Sequence, residues 1–119
     1  MFNSFTFGER KMAKGYWIGQ TDVTDPETFA EYSKLNQIAY RKYGGRYLIR
    51  GGEADVVEGQ YRSRLVVIEF KDYETAQACY RSPEYKRAAA FRKSAAITDV
   101  VVVEGYVGLQ PEEAATTEG

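Results

Sequence analysis

LVVIEF, residues Leu65 to Phe70 within the strand RSRLVVIEF (Arg62 to Phe70), is apolar on both alternating faces. That is the pattern of a strand covered on two sides, since a strand with one wet face alternates apolar with polar residues. A second run of this kind, VVVV, lies inside ITDVVVVEGY, Ile97 to Tyr106. What can cover both faces of these two strands decides the architecture, and the elements around them limit the choice.

Upstream, YWIGQTDV (Tyr16–Val23) reads as a first strand, with Tyr16, Ile18 and Gln20 on one face and Trp17, Gly19, Thr21 and Val23 on the other. TDPE then starts a helix, either with Asp25 as cap before Pro26 or with Thr24 and Glu27 as a capping box. Phe29, Tyr32, Asn36, Ala39, Tyr40 and Tyr43 recur at three- and four-residue steps and form its buried stripe. Gly44-Gly45 ends it. RYLIR (Arg46–Arg50) is a second strand. Gly51-Gly52 suggests a bulge or close backbone approach, ADVVE (Ala54–Glu58) reads as a strand, and a turn at Gly59-Gln60 leads into the third strand, Arg62–Phe70. Asp72 caps a short helix over Tyr73–Tyr80; Ser82-Pro83 breaks it and recaps a second piece from Pro83 to about Ala96.

Strand, helix, strand, strand, helix, strand folds with right-handed crossovers into an α+β ferredoxin-like βαββαβ sandwich, a four-stranded antiparallel sheet with the helices on one face. The expected layout is an N-terminal extension (1–14), the domain (15–106) and an acidic flexible tail (107–119). Met12 opens a stretch, MAKGYW, that reads like a natural start. Helices on one face leave the other apolar face in water over several hundred Å², on the order of the largest patch a soluble monomer tolerates. The simplest cover is the same face of a second copy, so a homodimer is expected.

Composition narrows the chemistry. The 119 residues suit one domain, and sixteen basic against seventeen acidic residues give a net charge of -1, too weak a field for nucleic acid. The RNA-recognition fold shares this strand order, but LVVIEF stands where its basic and aromatic consensus belongs. No stretch has the length or apolarity of a signal peptide or membrane span, and a lone cysteine, Cys79, asks for no oxidising compartment, so a cytoplasmic protein is expected. There is no histidine, which removes the commonest general base and the commonest metal ligand together. Neither metal nor organic cofactor is expected.

YGGRYLIRGG (Tyr43–Gly52), Glu58-Gly59, VVIEF (Val66–Phe70) and SPEY (Ser82–Tyr85) resemble, in order and spacing, the family called domain of unknown function 1330, from about Gly15 to Gly105. The resemblance implies the dimeric α+β barrel group of ferredoxin-like folds. Related barrels include cofactor-free monooxygenases, small-molecule isomerases and decarboxylases, and haem enzymes; the last usually need the axial histidine missing here.

Several residues are candidates for a site. A two-residue turn at Gly59-Gln60 places Arg50 opposite Glu69, or diagonal to it if the glycines bulge, and a carboxylate on so apolar a strand needs a partner. The pair would be catalytic, with Glu69 the proton acceptor and Arg50 the anion binder, or a structural ion pair. Asn36 stands in an apolar stripe where leucine would be expected, so its amide faces a pocket or a backbone partner. With Tyr32, it is a candidate for substrate contact. Tyr85 and Arg92 share a helix face and with Tyr80 would line the pocket mouth, or pack as phenols around a snorkelling arginine. Cys79 reads as a core residue. Two functions stay open: a cofactor-independent enzyme acting on a small carboxylated or aromatic metabolite, and a non-catalytic small-molecule-binding or accessory dimer.

Overall fold

A computed structural model describes residues 13–113. Most of the N-terminal extension, and residues 114–119 of the tail, lie outside the described residues. The elements follow the expected order: β1 (Gly15–Val23), α1 (Pro26–Tyr43), β2 (Arg46–Arg50), β3 (Arg64–Phe70), α2 (Tyr73–Arg81), α3 (Pro83–Ala95) and β4 (Ala96–Glu104). The strands form one antiparallel sheet in the order β2-β3-β1-β4, the ferredoxin-like arrangement. No helix among the described residues is long and apolar enough to cross a membrane.

Local chemistry accounts for the helix boundaries. Asp25 is the cap of α1: its carboxylate accepts from the Thr28 amide at 3.3 Å and the Thr28 hydroxyl at 2.7 Å, leaving no role for the alternative capping box. Gly44 closes the helix at φ 71°, in the left-handed region glycine tolerates, and the Gly45 N–H returns to the Tyr40 carbonyl. Asp72 and Ser82 cap α2 and α3 through Thr75 and Tyr85.

The core lies between the sheet and the helices. Trp17, in the central strand β1, meets Tyr40, Phe70, Tyr80 and Tyr85 at ring-centroid distances of 4.8–5.5 Å. Its indole N–H donates to the Ala76 carbonyl at 2.7 Å. Ile68, Phe70, Cys79 and Ala88 complete the seal. Register puts Trp17 beside Ile68 and Val102, so Val66, Val100, Thr21 and Thr98 share this helix-covered face. Tyr16, Ile18, Val67, Glu69, Val101 and Val103 share the other. No helix covers that face, where Ile97, Val101 and Val103 remain 54%, 53% and 39% exposed.

Two expectations are corrected. Ala54–Glu58 is not a strand: residues 51–63 form an irregular loop, with residues 51–60 all exposed. Arg50 does not face Glu69 either. Arg46 does, and after a bulge at Leu48 Arg50 comes opposite Val66. The loop's return explains both. Arg62 donates to Asp22 at 3.1 Å and to Asp99 at 2.7 Å, while the Ser63 amide donates to Asp22 at 2.8 Å. These acids sit at the end of β1 and in β4, on the open face. They draw the chain across the sheet and off the β2 ladder before β3 begins, so no hairpin turn sets the register.

Trp17→Ala should lower unfolding free energy by about 3–5 kcal/mol, the range for a large buried ring. Trp17→Phe should lower it by about 1–3 kcal/mol, since it removes a buried hydrogen bond and part of a large buried ring. Urea unfolding measures both; a Phe variant as stable as the parent would show that the indole N–H contributes nothing.

Candidate functional site

A cavity of about 50 Å³ opens between α1 and the helix-covered face of the sheet. It exists because of two neighbours on one strand face. Trp17 props the helices away from the sheet, and Gly19, next on the same face, has no side chain to fill the space. A Cβ at Gly19 would meet only Val100, at 3.7 Å, and the Asp99 carbonyl, at 3.9 Å. The floor is otherwise Val66, Ile68 and Val100, with the Thr21 and Thr98 hydroxyls paired at 3.1 Å. From α1 come Phe29, Tyr32, Ser33, Asn36 and Tyr40. Tyr47, Arg50 and Arg64 supply the β2–β3 side.

Asn36 and Tyr32 line the cavity. Asn36 is only 6% exposed. Its Oδ1 accepts from Gln37 Nε2 at 2.9 Å, and Gln37 also donates to the Tyr47 hydroxyl at 2.6 Å. The neighbouring side chain therefore takes the amide oxygen, leaving its NH₂ edge to the cavity. Tyr32 shares a 2.8 Å hydrogen bond with Tyr85, which accepts from Arg92 at 3.3 Å. Arg92 is 7% exposed and has no carboxylate within ion-pair distance; its guanidinium lies 5.9 and 6.0 Å from the rings of Tyr32 and Tyr85. Burial pushes the Tyr85 and Tyr40 phenols well above the ordinary value of 10.0. At Tyr85 the Arg92 charge opposes that rise. These groups are neutral donors and acceptors at physiological pH.

Tyr80, Tyr85 and Arg92 do not form the cavity mouth. Tyr85 and Arg92 back Tyr32 from inside the core, and Tyr80 packs edge-on against Trp17, facing outer grooves along α2 and α3. Arg50 does reach the cavity, with its guanidinium 4.4 Å from the Tyr47 ring centroid. Glu69 is on the opposite face of the sheet, where it accepts from the Tyr16 hydroxyl at 3.2 Å and lies 3.9 Å from Arg46. The Arg50–Glu69 pair is thus split between the two faces by the bulge.

Arg64, Gly19 and Thr98 were not singled out from the sequence. Arg64 carries a signal that could have found it: it lies two and four residues before Val66 and Ile68 and therefore shares their face. Of the paired glycines, expected to mark a bulge or a close backbone approach, Gly51 has the Arg64 guanidinium against it, its φ of 66° and missing side chain making room, while the bulge falls earlier, at Leu48. Among the described residues no three His, Cys, Asp or Glu side chains gather as a metal site.

A cavity under the helices of a four-stranded 2-3-1-4 sheet defines the class, a ferredoxin-like α+β domain. The model of the family named Domain of unknown function (DUF1330) matches residues 14–106, and the chain belongs to that family. No curated protein matches it in sequence. Among solved structures it is similar to RPA0582, a protein of unknown function from Rhodopseudomonas palustris, with 14% identity and a TM-score of 0.66 over 91% of this chain and 94% of that one. It is also similar to SnoaB, a cofactor-independent oxygenase from Streptomyces nogalater (9% identity, 83% and 98% covered, TM-score 0.54). A proposed antibiotic biosynthesis monooxygenase from Nitrosomonas europaea aligns at 21% identity over 84% and 93%, with a TM-score of 0.55. At these identities the likeness is one of fold.

Cys79 is fully buried, its thiol 3.7 Å from the Ala39 carbonyl. Burial, with Glu84 adding to it, pushes the thiol up to about 12. The reactive species is the thiolate, so native protein at pH 8 should resist iodoacetamide and protein in denaturant should be alkylated fully. Mass spectrometry reads the difference; rapid native labelling would contradict the sealed position.

Proposed function

We propose that the protein is a homodimer whose cavity takes a small carboxylated or aromatic metabolite, and that it acts on it as a cofactor-independent enzyme. The observation that carries the reading is the buried Asn36 amide, its NH₂ edge toward a cavity that also holds the Tyr32 hydroxyl and Arg50. The NH₂ edge has no protein partner among the described residues, so it is free to donate to a bound acceptor. The chemistry available is that of phenol, amide and guanidinium groups: Tyr32, backed through Tyr85 by the Arg92 charge, can donate a proton or hydrogen bond to a bound oxygen. SnoaB, which works without a cofactor, shares the fold and so supports the enzyme reading by analogy.

One observation favours a second reading, a non-catalytic binding or accessory protein. With Glu69 on the other face, no carboxylate lines the cavity to accept a proton. The open face supports the dimer. Its exposed Ile97, Val101 and Val103 need cover, and the 51–63 loop, tied to that side by Arg62, holds Val57 86% exposed. A second copy on the open face would cover these residues.

A thermal-shift screen of small carboxylic and phenolic compounds tests the site. Gly19→Leu should fill the cavity without backbone strain and abolish any stabilisation seen with the parent. Proton NMR of a hit over hours then separates the readings: conversion means enzyme, unchanged ligand means binder, and stabilisation that survives Gly19→Leu removes the cavity from both. Sedimentation should give twice the 13.5 kDa chain mass, and Val101→Glu should give a monomer. A monomeric parent would refute the pairing.

A further inference from the structure

We infer that the cavity is a carboxylate site for a small acid with an apolar tail, clamped at its rim by Arg50 and Arg64. This rests on the cavity reading above and names its ligand class. The lining is unbalanced in both charge and hydrogen bonding: it includes two guanidinium groups and no carboxylate. Of the acids in the described strands, Asp22 and Asp99 are engaged by Arg62 and Glu69 by Tyr16, while Glu104 stands at the far end of β4, opposite Gly15. Among the described residues neither Arg50 nor Arg64 lies within ion-pair distance of an acid, whereas Arg46 and Arg62 do.

Two devices bring these cations together. The Leu48 bulge turns Arg50 from the open face to the cavity face, opposite Val66. Gly51, the next residue, lacks the Cβ that would collide with the Arg64 guanidinium, and its N–H bonds to the Leu65 carbonyl at 2.8 Å. Two guanidiniums and no carboxylate among the residues lining one cavity favour an anion there, and a planar fork matches a carboxylate in two-point geometry. Further in, Asn36 offers its NH₂ edge, and the apolar floor of Val66, Ile68 and Val100 takes a hydrocarbon tail. Size sets the upper limit: about 50 Å³ corresponds to roughly four water molecules at 10–15 Å³ each. That admits a short monocarboxylate and excludes a cofactor-sized acid.

The test is calorimetric titration of the full chain with propionate and butyrate, with 1-butanol, butylamine and inorganic phosphate as controls. The acids should bind, the alcohol and amine should not, and Arg50→Gln and Arg64→Gln should each weaken the acids by about tenfold, as loss of a charge-assisted fork predicts. Gly51→Ala, which displaces Arg64, should behave like Arg64→Gln while circular dichroism stays unchanged. Binding of butanol but not of the acids, abolished by Gly19→Leu and indifferent to both arginine variants, would overturn the carboxylate clamp and leave the cavity reading standing. Phosphate binding as tight as butyrate would overturn the carboxylate assignment in favour of a general anion site. If none of the probes binds, or if binding is untouched by Gly19→Leu, the clamp and the cavity reading both fail.

Discussion

The structure depends on one indole. Trp17 stands in the middle of the central strand, its N–H held by the Ala76 carbonyl of α2 and its ring surrounded by four other aromatic rings. The hydrogen bond fixes how far the helices stand from the sheet, because it joins a strand side chain to a helix backbone. Two residues along the same face, Gly19 contributes nothing to fill that distance. A large side chain followed by none, on one face of one strand, is what makes a cavity in an otherwise close-packed layer. Helix α1 then closes over the gap, and its only buried amide faces it.

The same two-residue periodicity explains what could be read in advance and what could not. Element order and helix limits were legible because they rest on local chemistry: the Asp25, Asp72 and Ser82 caps, the Gly44 stop, and the stripe of Tyr32, Asn36, Ala39 and Tyr40. The strand faces of β1 were legible for the same reason. Register was not. In a sheet, a slip of one residue inverts which face a side chain takes, and the bulge at Leu48 is such a slip. A two-residue turn at Gly59-Gln60 would have set Arg50 against Glu69, but the return of the chain is set instead by Arg62 crossing to Asp22 and Asp99. Those residues lie some forty positions apart in sequence, and no local pattern announces their contact. The valines of ADVVE have the right composition for a strand and no neighbour to pair with.

Glu69 has a partner, but it is not Arg50. Its carboxylate, on an apolar strand, is held by the Tyr16 hydroxyl with Arg46 beside it. Burial, reinforced by this carboxylate, raises the Tyr16 phenol, so it keeps its proton and stays a donor. The sheet therefore separates its charges by face. The helix-covered face carries Arg50 and Arg64 at the cavity, and its one acid among the described strand residues, Glu104, stands at the far end of β4 opposite Gly15. The open face carries Glu69, Asp22 and Asp99, each matched to an arginine or a phenol.

A net charge of -1 conceals this separation, and the separation has a physical consequence for the open face. Ion pairs that are half-solvated contribute little in water, so the arrangement around Glu69 and Arg62 does little for an isolated chain. It matters when water is removed. Covering Ile97, Val101 and Val103 with another apolar surface would strip solvent from the neighbouring carboxylates, which is unfavourable unless each already has its hydrogen bonds. Here each does. The cavity face is arranged the opposite way, with cations left unmatched, and that asymmetry is the physical reason to look for an anion on one face of the sheet and for a neutral apolar contact on the other.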